Sequence, residues 1–149
     1  MKIQVINEIN LSFLSKSVNE GFARQAVACF ASQLDPNLEE LNDIKTAVSE
    51  GVTNCIVHAY KDRLGIVKLR ARIYSTHELE IRISDSGCGI EDIEKVRQPM
   101  YTTGGEDRSG MGFTIMESFM DGLKVSSKVG RGTVLTMRKK IIQRVGVHA

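Results

Sequence analysis

Three short stretches of this chain carry side chains that could do chemistry, and the first is a pair on a helical pattern. Glu50 and Asn54 are four residues apart, and His58 follows after four more. At about 100° per residue these side chains lie on one side of a helix, nearly opposite an apolar stripe. A carboxylate there can act as a general base, and an amide oxygen is a suitable hard ligand for Mg²⁺. A solvated helix face is the plainer alternative, but the apolar neighbours Ala47 and Val57 favour a cavity wall.

The second stretch is the loop Asp85-Ser86-Gly87-Cys88-Gly89, which directly follows an alternating strand pattern. Two glycines in a strand-exit loop let a ligand approach the backbone closely. An aspartate at the strand end can hydrogen-bond a ring that bears an amino group. A tight turn with a capping aspartate is the alternative interpretation. Cys88 has no identifiable helix N-terminus or paired histidine beside it, so we interpret it as a loop residue.

The third stretch is rich in hydroxyl groups and glycine, from Tyr101 to Gly105, and continues into Gly110-Met111-Gly112 at the start of a helix. Free backbone N–H groups and the helix dipole make such a terminus a phosphate site. It is not a Rossmann fingerprint, because the third glycine is absent and the segment precedes a terminal hairpin. Nor is it a Walker A loop, because the Gly-Lys-Ser/Thr sequence is absent.

Hydrophobic periodicity predicts the elements that position these stretches. Alternation over Ile9–Phe13 predicts a strand, and Ser17–Glu20 has the form of a capping box that begins a first helix. That helix should end near Asp35-Pro36, with the proline early in the next helix. A long second helix should run from about 38 to 60, with its core stripe at Leu41, Ile44, Val48, Val52, Cys55 and Ala59. The first helix has apolar residues at helical spacing at Val18, Phe22, Ala26, Val27 and Phe30.

Two hairpins complete the pattern. Alternating runs over 67–73 and 79–83 predict one, and runs over 123–125 and 134–137 predict the other, with short helices near 91–97 and 111–120 between them. The expected fold is a two-layer α/β sandwich, with helices on one face of a mixed, mostly antiparallel sheet. We expect a single domain over 1–149, ordered from about 7 to 140, with a basic C-terminal tail that frays.

The composition narrows the classes of function. With 20 Lys and Arg against 18 Asp and Glu, the net charge of +2 shows no footprint for direct nucleic-acid binding. A hydrophobic fraction of 42% with 26% charged residues indicates a globular chain rather than a disordered one. Apolar runs are too short for a membrane span or a signal-peptide core. The three cysteines show no metal-binding spacing and fit a reducing, cytoplasmic setting.

The order of the motifs is more specific than any one of them. Glu-x-x-x-Asn on a helix, Asp-x-Gly-x-Gly after a strand, a glycine-rich lid with Gly-x-Gly, and Gly-Thr in a last hairpin resemble the GHKL (Bergerat-fold) ATP-binding superfamily. Within it, four segments resemble the anti-sigma-F factors of spore-forming bacteria, over about residues 7 to 140. These segments are 22–24, 33–36, 48–54 and 108–117.

The resemblance implies a role for each matching residue. Glu50 would be the general base, Asn54 the Mg²⁺ ligand, and Asp85 the carboxylate that binds adenine, with Thr133 assisting at the base. Gly87 and Gly89 would shape the pocket. Lid and phosphate roles would fall to Thr102, Thr103, Ser109, Gly110 and Gly112, and Arg108 would steady the terminal phosphate charge. Glu20 and Arg24 on the first helix would bind protein partners.

The function that the resemblance implies is a serine-protein kinase that also acts as an anti-sigma factor. It would use ATP with Mg²⁺, return to an ADP form, and bind a sporulation sigma factor (sigma-F) and an anti-anti-sigma protein substrate. A cytoplasmic homodimer that contacts neither nucleic acid nor membrane is also expected. One alternative is a histidine-kinase-type catalytic domain, which the absence of a sensor or dimerisation segment disfavours. Another is a nucleotide-gated binding module without transferase activity, against which Glu50 argues because a binder needs no base.

Overall fold

A five-stranded antiparallel sheet forms one layer of the molecule. The computed structural model describes residues 3–97 and 112–144. Its strands lie side by side in the order β1-β2-β3-β5-β4, and each neighbouring pair is antiparallel. This confirms the predicted fold class. The strand bounds are β1 (Val5–Leu14), β2 (Ile66–Tyr74), β3 (Glu78–Asp85), β4 (Gly122–Lys128) and β5 (Gly132–Lys140).

Helices form the second layer and share one core with the sheet. The predicted stripe of the long helix is largely buried, with Ile44, Val48 and Val52 at 0% exposure, and it belongs to the same apolar cluster as Ile81 and Ile83 of β3. The period of three and four residues therefore identified the buried face correctly. The helices are α1 (Val18–Ala31), α2 (Leu38–Asn54), α3 (Ile93–Val96) and α4 (Gly112–Phe119).

The start of α1 departs from the prediction. Val18 and Phe22 are 77% and 57% exposed, whereas Val27 and Phe30 are buried as predicted, together with Ala23. Ser17 makes no side-chain capping bond, because its own backbone is already helical at φ −58 and ψ −30. The predicted capping box at Ser17 is therefore wrong, and two large apolar side chains of α1 face outward.

The capping box that does form begins α2. The Asn37 side chain accepts a bond of 2.7 Å from the Glu40 amide, and Glu40 Oε1 accepts one of 2.9 Å from the Asn37 amide. Pro36 lies before this cap, because the chain turns at Asp35 with a left-handed φ of 52°. The expectation that Pro36 would be an early residue of the helix is therefore wrong.

The C-terminal end of α2 also differs. The α-helix ends at Asn54, and Cys55–Ala59 form a π-helical turn closed by the Tyr60 amide on the Cys55 carbonyl at 3.1 Å. Such widened turns occur frequently at functional sites. The α-helical spacing that placed His58 with Glu50 therefore does not extend beyond Asn54.

The segment after β5 is bound to the body of the protein over residues 141–144. Ile141 is buried, and its amide donates to the His77 carbonyl at 3.1 Å. Arg144 pairs with Glu40 at 2.9 Å. The expected fraying therefore does not apply to these four residues, and 145–149 lie outside the described part of the chain.

Candidate functional site

Asp85 ends β3 and is held from three sides. Its Oδ1 accepts hydrogen bonds from the backbone amides of Gly87, at 3.0 Å, and Thr133, at 3.2 Å. Its Oδ2 accepts one from the Cys55 thiol, with a sulfur–oxygen distance of 3.4 Å. The structure thus brings together Asp85, Gly87 and Thr133, which the sequence assigned to one site. Cys55, which the sequence placed only in the core stripe, lies in direct contact with them.

The loop after Asp85 is pressed between two other elements. A Cβ on Gly87 would collide with the Ala59 carbonyl of the π-turn, and Gly89 has φ +78 and its Cβ would collide with the Lys128 carbonyl of β4. The Cys88 amide donates to the Ala59 carbonyl at 3.1 Å. Glycine is required at both positions for this close approach. The loop is therefore held at a defined place beside the end of α2.

Ser127 joins the loop to the β4–β5 hairpin. Its hydroxyl accepts a bond of 2.7 Å from the Ile90 amide and lies 2.8 Å from the Thr133 hydroxyl. It also donates to the Gly132 carbonyl at 3.0 Å. Ser127 was not predicted as part of the site, because a serine in a strand pattern gives no signal of the loop that it will contact.

Tyr60 was also missed. It is 4% exposed, its hydroxyl donates to the Ile66 carbonyl at 2.8 Å, and that same hydroxyl accepts a bond of 2.6 Å from the Ser86 amide. The Arg63 guanidinium lies 5.2 Å from the ring centroid. A buried tyrosine normally finds such partners for its hydroxyl, and here they tie the start of β2 to the Asp85 loop.

Glu50 lies on α2, one turn before Asn54, and is not among the residues that contact Asp85 in the hydrogen bonds described above. Its Oε2 is 3.3 Å from the place that a Cβ on Gly112 would occupy, so the carboxylate faces the first residue of α4. Glu50 and Gly112, which are distant in sequence, are therefore brought together. Asn54 follows Glu50 by one turn, at the last position of α2, and directly precedes Cys55, which contacts Asp85.

Five predicted residues cannot be placed, because Thr102, Thr103, Arg108, Ser109 and Gly110 lie outside the described residues. Within 3–97 and 112–144, no helix is long and apolar enough to cross a membrane. Over the same ranges, no group of three or more His, Cys, Asp and Glu residues is arranged to hold a metal ion.

The electrostatics at the Asp85 end keep a proton on Cys55. Burial, followed by the charge and hydrogen bond of Asp85, raises the pKa of the Cys55 thiol well above its ordinary value. The thiol is therefore a donor at neutral pH, and Asp85 is the acceptor. One carboxylate oxygen has two backbone donors and the other has the thiol, so a further donor such as an aromatic amine would bond to Oδ2.

Glu20 and Arg24 lie apart from these groups, on α1. Arg24 Nε is 3.0 Å from Glu20 Oε2, and the pair is flanked by the exposed Val18 and Phe22. A charged pair beside exposed apolar side chains is typical of a protein-binding surface rather than of a solvated helix.

Comparisons with known proteins identify the family of this chain. A family model described as the histidine kinase-like ATPase domain matches residues 14–139. An anti-sigma F factor of Caldanaerobacter subterraneus is 56% identical over 136 residues, which cover 91% of this chain and 94% of the relative. An anti-sigma F factor of Clostridium acetobutylicum is 54% identical over 135 residues, or 90% of this chain and 94% of the relative.

Solved structures share the fold. The RsbU and RsbW domains of a Mycobacterium tuberculosis protein match with a TM-score of 0.66 at 14% identity, over 91% of this chain and 32% of that chain. The mycobacterial sensor histidine kinase MprB matches with a TM-score of 0.56 at 15% identity, over 90% of this chain and 100% of that chain. Identities this low show the architecture alone.

Proposed function

This chain belongs to the histidine kinase-like ATPase family and, within it, to the anti-sigma F factors, and from that premise we propose a two-part function. It transfers phosphate from ATP to a serine of an anti-anti-sigma protein, and it sequesters a sporulation sigma factor. The observation that carries the kinase part is the position of Glu50 on α2. Its carboxylate faces Gly112 at the start of α4, and Asn54 follows it by one helical turn. A protein that only bound nucleotide would need no base at this position.

Asp85 is the proposed contact for the adenine ring. Its carboxylate is oriented by the amides of Gly87 and Thr133 and by the Cys55 thiol, and an exocyclic amine can donate to Oδ2. A hydrogen bond to a charged acceptor contributes about 1.5–3 kcal/mol. The close packing of the loop at Gly87 keeps this acceptor in place and supports its assignment.

Asn54 is the proposed protein ligand of Mg²⁺. Its amide oxygen is a hard donor that fits this ion, which usually binds few protein groups together with substrate phosphates. When bound, Mg²⁺ neutralises charge on the phosphate oxygens. Asn54 would hold this ion through its side-chain amide oxygen.

Glu50 is the proposed proton acceptor. The serine oxygen attacks the γ-phosphorus, the bond from that phosphorus to the β,γ-bridging oxygen breaks, and the hydroxyl proton moves to the carboxylate. ADP leaves with the bridging oxygen, and Glu50 later releases its proton to solvent. General-base catalysis of this kind is worth about 10²–10⁴ in rate.

The exposed face of α1 is the proposed partner surface. Val18 and Phe22 supply apolar area, and the Glu20–Arg24 pair supplies charge beside it. Aromatic and arginine side chains are enriched among residues that dominate binding energy. We assign the sigma factor and the antagonist to this face, and we place their exchange in the cytoplasm.

Two measurements on the whole chain test this function. Incubation with γ-labelled ATP, Mg²⁺ and the antagonist should place label on a serine of the antagonist, and label on a histidine of the chain itself would instead indicate a histidine-kinase-type domain. Sizing of mixtures with the sigma factor in ATP or ADP should show a complex favoured by ATP and should report whether the chain is a homodimer. No label on the antagonist and no complex would reject both parts.

A further inference from the structure

Cys55 is a buried group that the proposed mechanism does not use. It is 1% exposed, it lies where α2 passes into the π-turn, and its sulfur contacts Asp85 Oδ2 at 3.4 Å. A buried cysteine ordinarily behaves as a small apolar residue. Here it donates to a carboxylate, which is a directional contact rather than simple packing.

Three donors among the described residues bond to the Asp85 carboxylate, and they leave one of its acceptor positions available. A carboxylate has about four lone-pair positions. The amides of Gly87 and Thr133 both bond to Oδ1, and the Cys55 thiol bonds to Oδ2. The torsion that turns a carboxylate is soft and roughly two-fold, so two bonds to one oxygen restrain it less than bonds to both.

We propose that Cys55 is a positioning residue for the nucleotide base: its thiol holds the Asp85 carboxylate so that the second acceptor position of Oδ2 faces an exocyclic amine. This inference rests on the proposed function and deepens it, since it assigns adenine selectivity to a residue that does not touch the base. The contact from the Cys55 sulfur to Asp85 Oδ2, at 3.4 Å, is the observation that carries this assignment. Cys55 acts through Asp85 and has no part in phosphate transfer.

The experiment compares ATP with inosine triphosphate, in which an oxo group replaces the amine. Binding to the full chain is measured by calorimetry for the parent, Cys55→Ala, Cys55→Ser and the control Val48→Ala. Cys55→Ala should bind ATP about three- to tenfold more weakly, which corresponds to loss of one modest hydrogen bond. Its affinity for inosine triphosphate should change little, so the preference for ATP falls.

The control separates positioning from packing. Val48 is fully buried on the same helix and, like Cys55, loses core contacts when cut to alanine. Val48→Ala should lower stability but keep the parent's preference for ATP. Cys55→Ser retains a donor and should lie closer to the parent than Cys55→Ala does, and it keeps the test open if the alanine variant does not fold.

A vibrational measurement gives an independent readout. The parent should show an S–H stretching band shifted by bonding to a charged acceptor, absent in Cys55→Ala and altered when ATP is added. Two results would overturn the inference while the proposed function stands. In the first, the parent prefers ATP and both Cys55 variants keep that preference. In the second, both variants lose the preference equally. If the parent does not bind ATP at all, the proposed function fails, and the inference fails with it.

Discussion

The two ends of α2 are built in opposite ways. At the N-terminal end, Glu40 accepts bonds from the amides of Asn37 and Ile142, at 2.9 and 3.2 Å, and pairs with Arg144. At the C-terminal end the helix widens into a π-turn, where Cys55 donates to Asp85. One end binds the tail of its own chain, and the other end faces a loop with an oriented acceptor.

The comparison shows how one helix can serve stability and function separately. Polar groups that satisfy one another across distant segments stabilise the fold, because none is left unpaired when buried. An acceptor that is oriented but keeps one position available can instead bind a ligand. Substitutions at the C-terminal end should therefore change chemistry and binding, and those at the N-terminal end should change stability.

Replacing the proposed base should have the largest effect. Glu50→Gln keeps the size of the side chain but cannot accept the serine proton, so single-turnover phosphotransfer should fall about 10²–10⁴-fold. ATP affinity and sigma-factor binding should persist, because Asp85 and α1 are unchanged. Transfer at the parent's rate would mean that Glu50 is a structural residue and that the comparison fails at this end of the helix.

Replacing Asp85, the proposed adenine contact, should have the next largest effect. Asp85→Asn removes the charged acceptor, so ATP binding should weaken by about 1.5–3 kcal/mol, measured by calorimetry. The asparagine side chain can also turn its NH₂ group toward the backbone N–H groups of Gly87 and Thr133. These donors would repel one another, so the loop should be perturbed locally. Thermal unfolding of the same variant checks that the fold survives, and unchanged ATP affinity would remove Asp85 from the site.

The proposed partner surface is on α1 and belongs to neither end of α2. Substitutions there should therefore change partner binding without changing ATP affinity. Arg24→Ala should weaken binding of the sigma factor or the antagonist by about 2 kcal/mol, as at an arginine hot spot. ATP affinity should be unchanged. Gln25→Ala, at an exposed neighbouring position, is the matched control. If the Arg24 variant and the parent bind both partners with equal affinity, Arg24 is a solvated helix residue with no part in partner binding.

Glu40 should give the smallest effect, on stability and its pH dependence. Burial by itself would raise the pKa of Glu40, but bonds from the Asn37 and Ile142 amides and from Arg144 outweigh it and hold the pKa below the ordinary 4.5. A lowered folded-state pKa contributes stability above the unfolded value, and this contribution is lost as the pH falls through the folded value. Glu40→Gln should therefore be about 1 kcal/mol less stable at pH 7.

Denaturant unfolding from pH 7 to pH 3 tests this sign. The difference in unfolding free energy between parent and Glu40→Gln should be constant above about pH 5 and shrink below it. ATP affinity should not change at any pH, because Glu40 lies at the opposite end of α2 from Asp85. A constant difference over the whole range would show that Glu40 acts through its shape and not its charge.

Much of the fold followed from local patterns. The burial of Ile44, Val48 and Val52 was predicted because apolar spacing along one helix is a local property. The face of α1 was predicted wrongly at Val18 and Phe22, because the same spacing also describes apolar residues that the rest of the chain leaves exposed. A periodic pattern does not tell which of two apolar faces the rest of the chain will cover.

By itself the sequence determined the order of the elements, the single sheet with helices on one face, and the residue types of the proposed site. Only the tertiary structure decided that Cys55 contacts Asp85, 30 residues away, and that Glu40 binds Ile142, 102 residues away. It also decided that α2 opens into a π-turn at Cys55. Periodicity and capping depend on neighbours within a few residues, whereas these contacts depend on where separate elements meet once the core has packed.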